Sequence, residues 1–159
     1  MKVWITTVGT SVFAVVNPLW AACIHDGFAP ERIHLLKNTR VEHNVPEVRA
    51  WLTRILKCYG VEPEFVEHEG DEDDMSAFAR LLRGVVESEK GNEIAIDMTP
   101  GRKFMSAYAM AAGLVFGVSK VYYLHLYDLT YQNQAYVLIP FNHQKLVNVL
   151  DYARGGADG

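Results

Sequence analysis

With 159 residues, half of them hydrophobic, the chain has the size of one compact domain with a real core and little room for a second. Its 19 acidic and 15 basic side chains give a formal charge of -4. That balance argues against a general binder of duplex nucleic acid or of an anionic membrane, which would present a broad basic surface, so any phosphate recognition must be local.

The chain opens on an apolar strand over residues 2–8 that ends in Gly9, Thr10 and Ser11 and gives way to an apolar helical pattern over 11–25. Met1 leads straight into that strand without the charged leader and cleavage site of a secretory signal, so the expected compartment is the cytoplasm. Pro18 falls inside the helix and should kink it or mark a restart. A strand over 32–37 is followed by the polar run Asn38, Thr39, Arg40 and a helix over 46–59. Cys23 and Cys58 each sit in an apolar helical pattern with no paired spacing, which suggests core or near-core thiols in a reducing compartment and no disulfide or zinc framework.

A strand over 64–67 runs into the acidic stretch 67–74. Those carboxylates lack the ligand spacing of a calcium loop, so they read as a solvated loop ending in the N-cap of a helix over 75–88, and no metal is placed there. The next strand, 93–98, breaks at Pro100-Gly101 and restarts as a helix over 102–116 carrying Arg102 and Lys103 at its head. That helix is apolar on nearly every face, which predicts either burial on all sides or a subunit interface; it is too short to cross a bilayer. A fifth strand over 120–127 precedes a polar turn at 128–134, an antiparallel sixth strand over 135–141, a last helix over 142–154 and a disordered tail at 155–159.

Strands alternating with helices imply a Rossmann-like open α/β sheet, mainly parallel with the sixth strand antiparallel and helices on both faces. In such a sheet ligands collect beyond the carboxyl ends of the strands. If the first and fourth strands are neighbours, Thr10, Ser11, Thr99, Gly101, Arg102 and Lys103 face one pocket. The restarted helix offers unpaired backbone N–H groups and a positive dipole end beside two full charges, which is the build of a phosphate site. An ordinary strand-turn-helix connection with two solvated cations has the same pattern. Ser11 and Thr10 fit a ligand contact and helix N-capping equally. Asp97, at the end of a buried strand, is read as an acceptor of backbone N–H bonds that shapes the turn.

The run Gly9-Thr10-Ser11 after the first strand, and Asp97-Met98-Thr99-Pro100-Gly101-Arg102-Lys103 closing the fourth, resemble the two motifs of the CRISPR-associated Rossmann-fold (CARF) domain, and the likeness covers residues 1–154. The resemblance implies a homodimer that binds cyclic oligoadenylate, with cyclic tetra-adenylate as the expected ring, across its two-fold axis. No effector domain is visible, as in the standalone ring nucleases of the family, which cut the signalling ring without a cofactor or metal. On this reading Lys103 stabilises the transition state or leaving oxygen and Ser11 orients the ribose or phosphate. Gly9, Thr10, Thr39, Arg40, Thr99, Pro100, Gly101 and Arg102 then bind the ligand, Arg102 as a phosphate clamp. Pro100 departs from the family pattern, which has glycine there, and removes one backbone donor.

His68 and His125 could approach the ligand or sit at the core edge, and Tyr127 and Tyr131 could stack on a base or simply pack. No general base stands out, so a slow enzyme relying on position is expected. Two other classes stay open: a sensor or sponge that binds the ring without cutting it, and an unrelated nucleotide or sugar-phosphate enzyme on the same kind of sheet. The absence of Gly-x-Gly-x-x-Gly after the first strand argues against a dinucleotide site.

Overall fold

The structure, a computed structural model, describes residues 1–155. Its elements run β1 (Lys2–Thr7), α1 (Val12–Asp26), β2 (Arg32–Lys37), α2 (Val45–Lys57), β3 (Glu64–Glu69), α3 (Met75–Ser88), β4 (Glu93–Asp97), α4 (Lys103–Phe116), β5 (Lys120–Leu126), β6 (Gln144–Asn148) and α5 (Val149–Ala153). The six strands form one sheet in the order β3-β2-β1-β4-β5-β6, parallel through β5, with β6 antiparallel to β5. The expected tail at 155–159 falls outside the described residues beyond Gly155.

Strand side chains alternate between two cores, as the period of two requires. Trp4, Ile33, Leu35, Ala95 and Tyr122 point to the face covered by α1 and α2, where Leu19, Val48 and Leu52 meet them. Val3, Ile5, Ile94, Ile96 and Val121 point to the opposite face, against Phe78 and Leu82 of α3, Ala109 and Ala112 of α4 and Leu150 of α5. Each of these large side chains contributes about 1.5–3 kcal/mol by leaving water. Helix starts follow the side chains before them: Ser11 Oγ accepts from Ala14 N at 3.3 Å, and Asp74 from Ala77 N at 2.9 Å.

Three expectations fail after residue 134 or at a helix end. Residues 135–141 form no strand; they make 3-10 turns at Tyr136–Leu138 and Phe141–His143. Asn17 of α1 takes over the backbone there, donating to Gln134 O at 2.8 Å and accepting from Tyr136 N at 2.9 Å, and Pro140 can offer no ladder donor. The antiparallel strand is therefore displaced to Gln144–Asn148, where pairing with β5 leaves only Val149–Ala153 for the last helix. Cys58 lies exposed at the end of α2, whereas Cys23 is buried, which pushes its thiol up to about 12. Through Pro18, α1 runs as one helix.

The apolar helix α4 is buried along one side only. Ala109, Ala112 and Gly113 are covered, whereas Ala107, Ala111, Leu114 and Val115 are exposed, Val115 by 74%. Gly113 allows the close seat: a Cβ there would stand 2.4 Å from Val121 Cγ2 and 3.5 Å from Leu150 Cδ2. No described helix is long and apolar enough to cross a membrane.

Candidate functional site

Strand order reverses between β1 and β4, and the crevice beyond their carboxyl ends is where an open α/β sheet binds its ligand. The connections leaving these strands touch, since a Cβ on Gly9 would lie 3.8 Å from Gly101 N and 3.9 Å from Pro100 Cβ. Gly101 has φ 93°, and a Cβ there would be 2.8 Å from Thr7 Oγ1, so both the backbone conformation and the space demand glycine. Arg102 is the N-cap of α4 and makes no side-chain cap bond, which leaves the first-turn amides without a capping side chain at the same corner.

Two clefts open at this point rather than one pocket. The first, about 380 Å³, is lined by Gly9, Thr10, Arg40, Gly101 and Arg102 together with Glu72. The second, about 360 Å³, is lined by Ser11, Thr99, Tyr123, His125 and Tyr131. Thr39 lies outside both, in a shallow groove with Arg40 and Glu72. Pro100 is buried behind the connection beside Thr6, Thr7 and Asp97. Lys103, exposed as the first residue of α4, lines neither cleft.

Asp97 shapes the turn, as its place in the sequence suggested. Its carboxylate accepts from Thr6 Oγ1 and from Thr99 N, both at 2.9 Å. Beyond it, Thr99 Oγ1 accepts from Leu124 N at 2.9 Å and Ser106 Oγ donates to Met98 O at 2.8 Å, fastening the connection to β5 and to α4. Burial raises the Asp97 pKa from 3.8 to about 7, against the lowering effect of its bonds to Thr99 and Thr6. A carboxyl raised in the folded state keeps its proton where the unfolded chain has lost it, so the contribution of Asp97 to stability is full below pH 3.8 and is lost as pH rises to about 7. Each pH unit in that window removes at most about 1.4 kcal/mol. Urea unfolding at pH 5 and pH 8 is expected to show this loss in the wild type and little of it in Asp97→Asn.

The arginines are not free. Arg40 Nη1 and Arg102 Nη2 reach the same oxygen, Glu72 Oε1, at 2.9 and 3.1 Å, and Asp73 forms a second ion pair with each, at 3.4 Å from Arg40 and 3.1 Å from Arg102. Asn38 Oδ1 accepts from the amides of Arg40 at 2.9 Å and Val41 at 3.3 Å, which fixes the loop that presents Arg40. The acidic stretch after β3 is thus a partner of Arg40 and Arg102, where a solvated loop was expected. Its position was legible in principle, since β3 ends on the same edge of the sheet as β2 and β1, but sequence separation alone does not show which way the loop folds.

The histidines divide. His125 lines the second cleft, 3.3 Å from Tyr123 Oη and edge-on to Tyr127 at 4.6 Å between ring centres. His68 turns to the α3 face, its Nε2 2.8 Å from Nδ1 of the buried His34, which in turn meets Glu89 Oε1 at 2.8 Å. Burial holds the His68 pKa below its ordinary value, with His34 adding to the effect. Tyr131 lines the second cleft, whereas Tyr127 is exposed outside it.

No protein-family model and no curated protein sequence matches the chain. Solved structures do. Can2 from Sulfobacillus thermosulfidooxidans, in complex with cyclic tetra-adenylate, superposes with a TM-score of 0.61 at 17% identity over 83% of this chain. Csm6 from Enterococcus italicus, bound to cyclic hexa-2'-fluoro-hexa-dAMP, gives 0.64 at 14% identity over 98% of the chain. Protein VC1899 from Vibrio cholerae gives 0.55 at 14% identity over 77%. The chain has a CARF-like fold. It spans 33%, 44% and 30% of those three proteins' own lengths, so the likeness is one of fold over less than half of each. Within the CARF-like fold, the β1 and β4 connections that carry the two sequence motifs meet at the strand-order reversal.

Proposed function

We propose that this chain binds a cyclic oligoadenylate, with cyclic tetra-adenylate as the preferred ring, across a homodimer and opens it slowly without a metal. The observation that carries the reading is the anion corner itself: an uncapped helix start, Arg102, Lys103 and the close Gly9–Gly101 approach, set at the reversal of strand order between two clefts. The shared fold of two proteins solved with cyclic oligoadenylates supports the ligand class.

In the reaction, a ribose 2′-oxygen attacks the adjacent phosphorus, the P–O5′ bond breaks, and the 5′-oxygen leaves with a proton, giving a linear product with a 2′,3′-cyclic phosphate. Ser11 suits the role of orienting the ribose. Its oxygen accepts the capping bond from Ala14 N, which leaves its O–H free to donate into the second cleft. Thr10, Gly9 and Arg102 take phosphate on the first side, Arg40 adds a second guanidinium, and Thr39 and Thr99 lie at the outer groove and the second cleft. Pro100, buried, acts by shaping the turn that presents Gly101.

Incubating the protein with cyclic tetra-adenylate in EDTA tests this: linear product ending in a 2′,3′-cyclic phosphate is expected. Tight binding without product would instead make the protein a sensor or sponge. The dimer has its own check. The exposed Ala107, Ala111, Leu114 and Val115 stripe on α4 is offered as the contact, and a symmetric ring favours a two-fold arrangement of identical corners. Light scattering at micromolar concentration should give a dimer, and Val115→Lys should shift it to monomer; a wild-type monomer would remove the two-fold site from the reading.

A further inference from the structure

We propose that Glu72, aided by Asp73, is an internal latch on the anion corner, holding Arg40 and Arg102 until a ligand phosphate takes its place and frees the loop between β3 and α3. Guanidiniums from two different loops come within 2.9 and 3.1 Å of one carboxylate oxygen, Glu72 Oε1. That is the arrangement in which a phosphate oxygen would be held, so the carboxylate occupies the position of the ligand's anion. The acid sits inside and the cations outside: the Glu72 side chain is 19% exposed against 65% for Arg40 and 55% for Arg102.

The loop is built to swing between fixed ends. Gly70 N bonds to Lys37 O at 2.8 Å on the sheet side, and Asp74 is committed as the N-cap of α3. Between them, Asp71 Oδ1 accepts from Asp73 N at 2.9 Å, a local turn that travels with the segment. Glu69, Asp71, Asp73 and Asp74 flank Glu72, and among the described residues the ion pairs of Glu72 and Asp73 are those to the two arginines. Phosphate and loop are then mutually exclusive occupants: once phosphate neutralises the arginines, like charge expels the carboxylates. A single weak anion would rarely win that exchange, whereas a ligand with several phosphates held elsewhere in the site would. The latch thereby raises the threshold for small anions and favours a polyanionic ring.

The natural ligand in this scheme rests on the cyclic oligoadenylate reading, so the test uses a second probe that does not. Binding of inorganic pyrophosphate and of cyclic tetra-adenylate would be measured by calorimetry on wild type, Glu72→Gln and Glu69→Gln. Glu69→Gln removes the same charge from the same stretch without touching an arginine pair. Amide exchange over residues 71–73 would be followed with and without each probe. Exposed ion pairs are individually weak, so freeing both arginines is expected to raise pyrophosphate affinity about 5- to 10-fold in Glu72→Gln and less than about 2-fold in Glu69→Gln. Exchange over 71–73 should rise when either probe binds wild type and be fast from the start in Glu72→Gln. Equal pyrophosphate affinity in the two variants, no pyrophosphate binding to Glu72→Gln, or exchange in Glu72→Gln that matches unliganded wild type would overturn the latch. If pyrophosphate behaves as stated while the ring binds no form of the protein, the latch stands and the ring reading fails.

Discussion

Replacing Lys103 with alanine is expected to slow single-turnover opening of cyclic tetra-adenylate by about 10²- to 10³-fold, the usual loss when one donor aimed at developing charge is removed. Affinity for the ring should fall far less, because Arg102, Arg40 and the first-turn amides of α4 keep their hold on phosphate. Lys103 differs from both arginines in being outside every salt bridge among the described residues, so its ammonium is available without first leaving an acid. It also lines neither cleft, and reaches the corner only through its flexible four-carbon stem. That combination suits a group that meets a phosphoryl or leaving oxygen as charge develops there and contributes little to ground-state binding. Equal rates for Lys103→Ala and wild type would show that another donor carries the step.

A ring whose 2′-hydroxyls are replaced by hydrogen is expected to bind wild-type protein and remain uncut. The attacking atom in the proposed reaction is the ligand's own oxygen, so its removal takes away the nucleophile and leaves the phosphates and bases in place. Ser11 is the rival nucleophile. Its oxygen already accepts from Ala14 N, and neither a histidine nor a carboxylate forms a hydrogen bond to it among the described residues, so nothing is placed to remove its proton. Cleavage of the 2′-deoxy ring would mean that attack comes from Ser11 or from water, and mass spectrometry for a phospho-serine adduct would separate those two.

Most of the sheet was legible because β1, β2, β4 and β5 are largely apolar runs bounded by turn residues, and every connection between successive parallel strands contains a helix. Asp74 before α3 and Ser11 before α1 are helix start signals, and both cap in the structure. Legibility ended where a tertiary bond replaced a local rule. Residues 135–141 have the composition of a strand, yet Asn17, more than a hundred positions earlier, claims their backbone. The corner proposed to bind phosphate was visible as two motifs, since glycine and cations at strand ends are sequence features. That the corner opens onto two clefts depends on how the connections touch at Gly9 and Gly101, and that its arginines are already paired depends on where the acidic loop lands. Neither is written in spacing.

Gly113 sets the height at which α4 rides over the sheet, and one missing carbon is the spacer. A methyl group there would stand 2.4 Å from Val121 Cγ2, so the helix would have to lift by about 1 Å to restore an ordinary contact. Helices are stiff along their axis, and Lys103 lies about 15 Å up the same rod at 1.5 Å per residue. Lift or tilt at Gly113 is therefore delivered to the backbone from which Lys103 and Arg102 project. A misplacement of about 1 Å at reacting groups can cost on the order of 10²-fold in rate. A residue buried against β5 is thus the gauge block that sets the height of the helix end carrying Lys103 and Arg102, the two groups proposed to meet the ring.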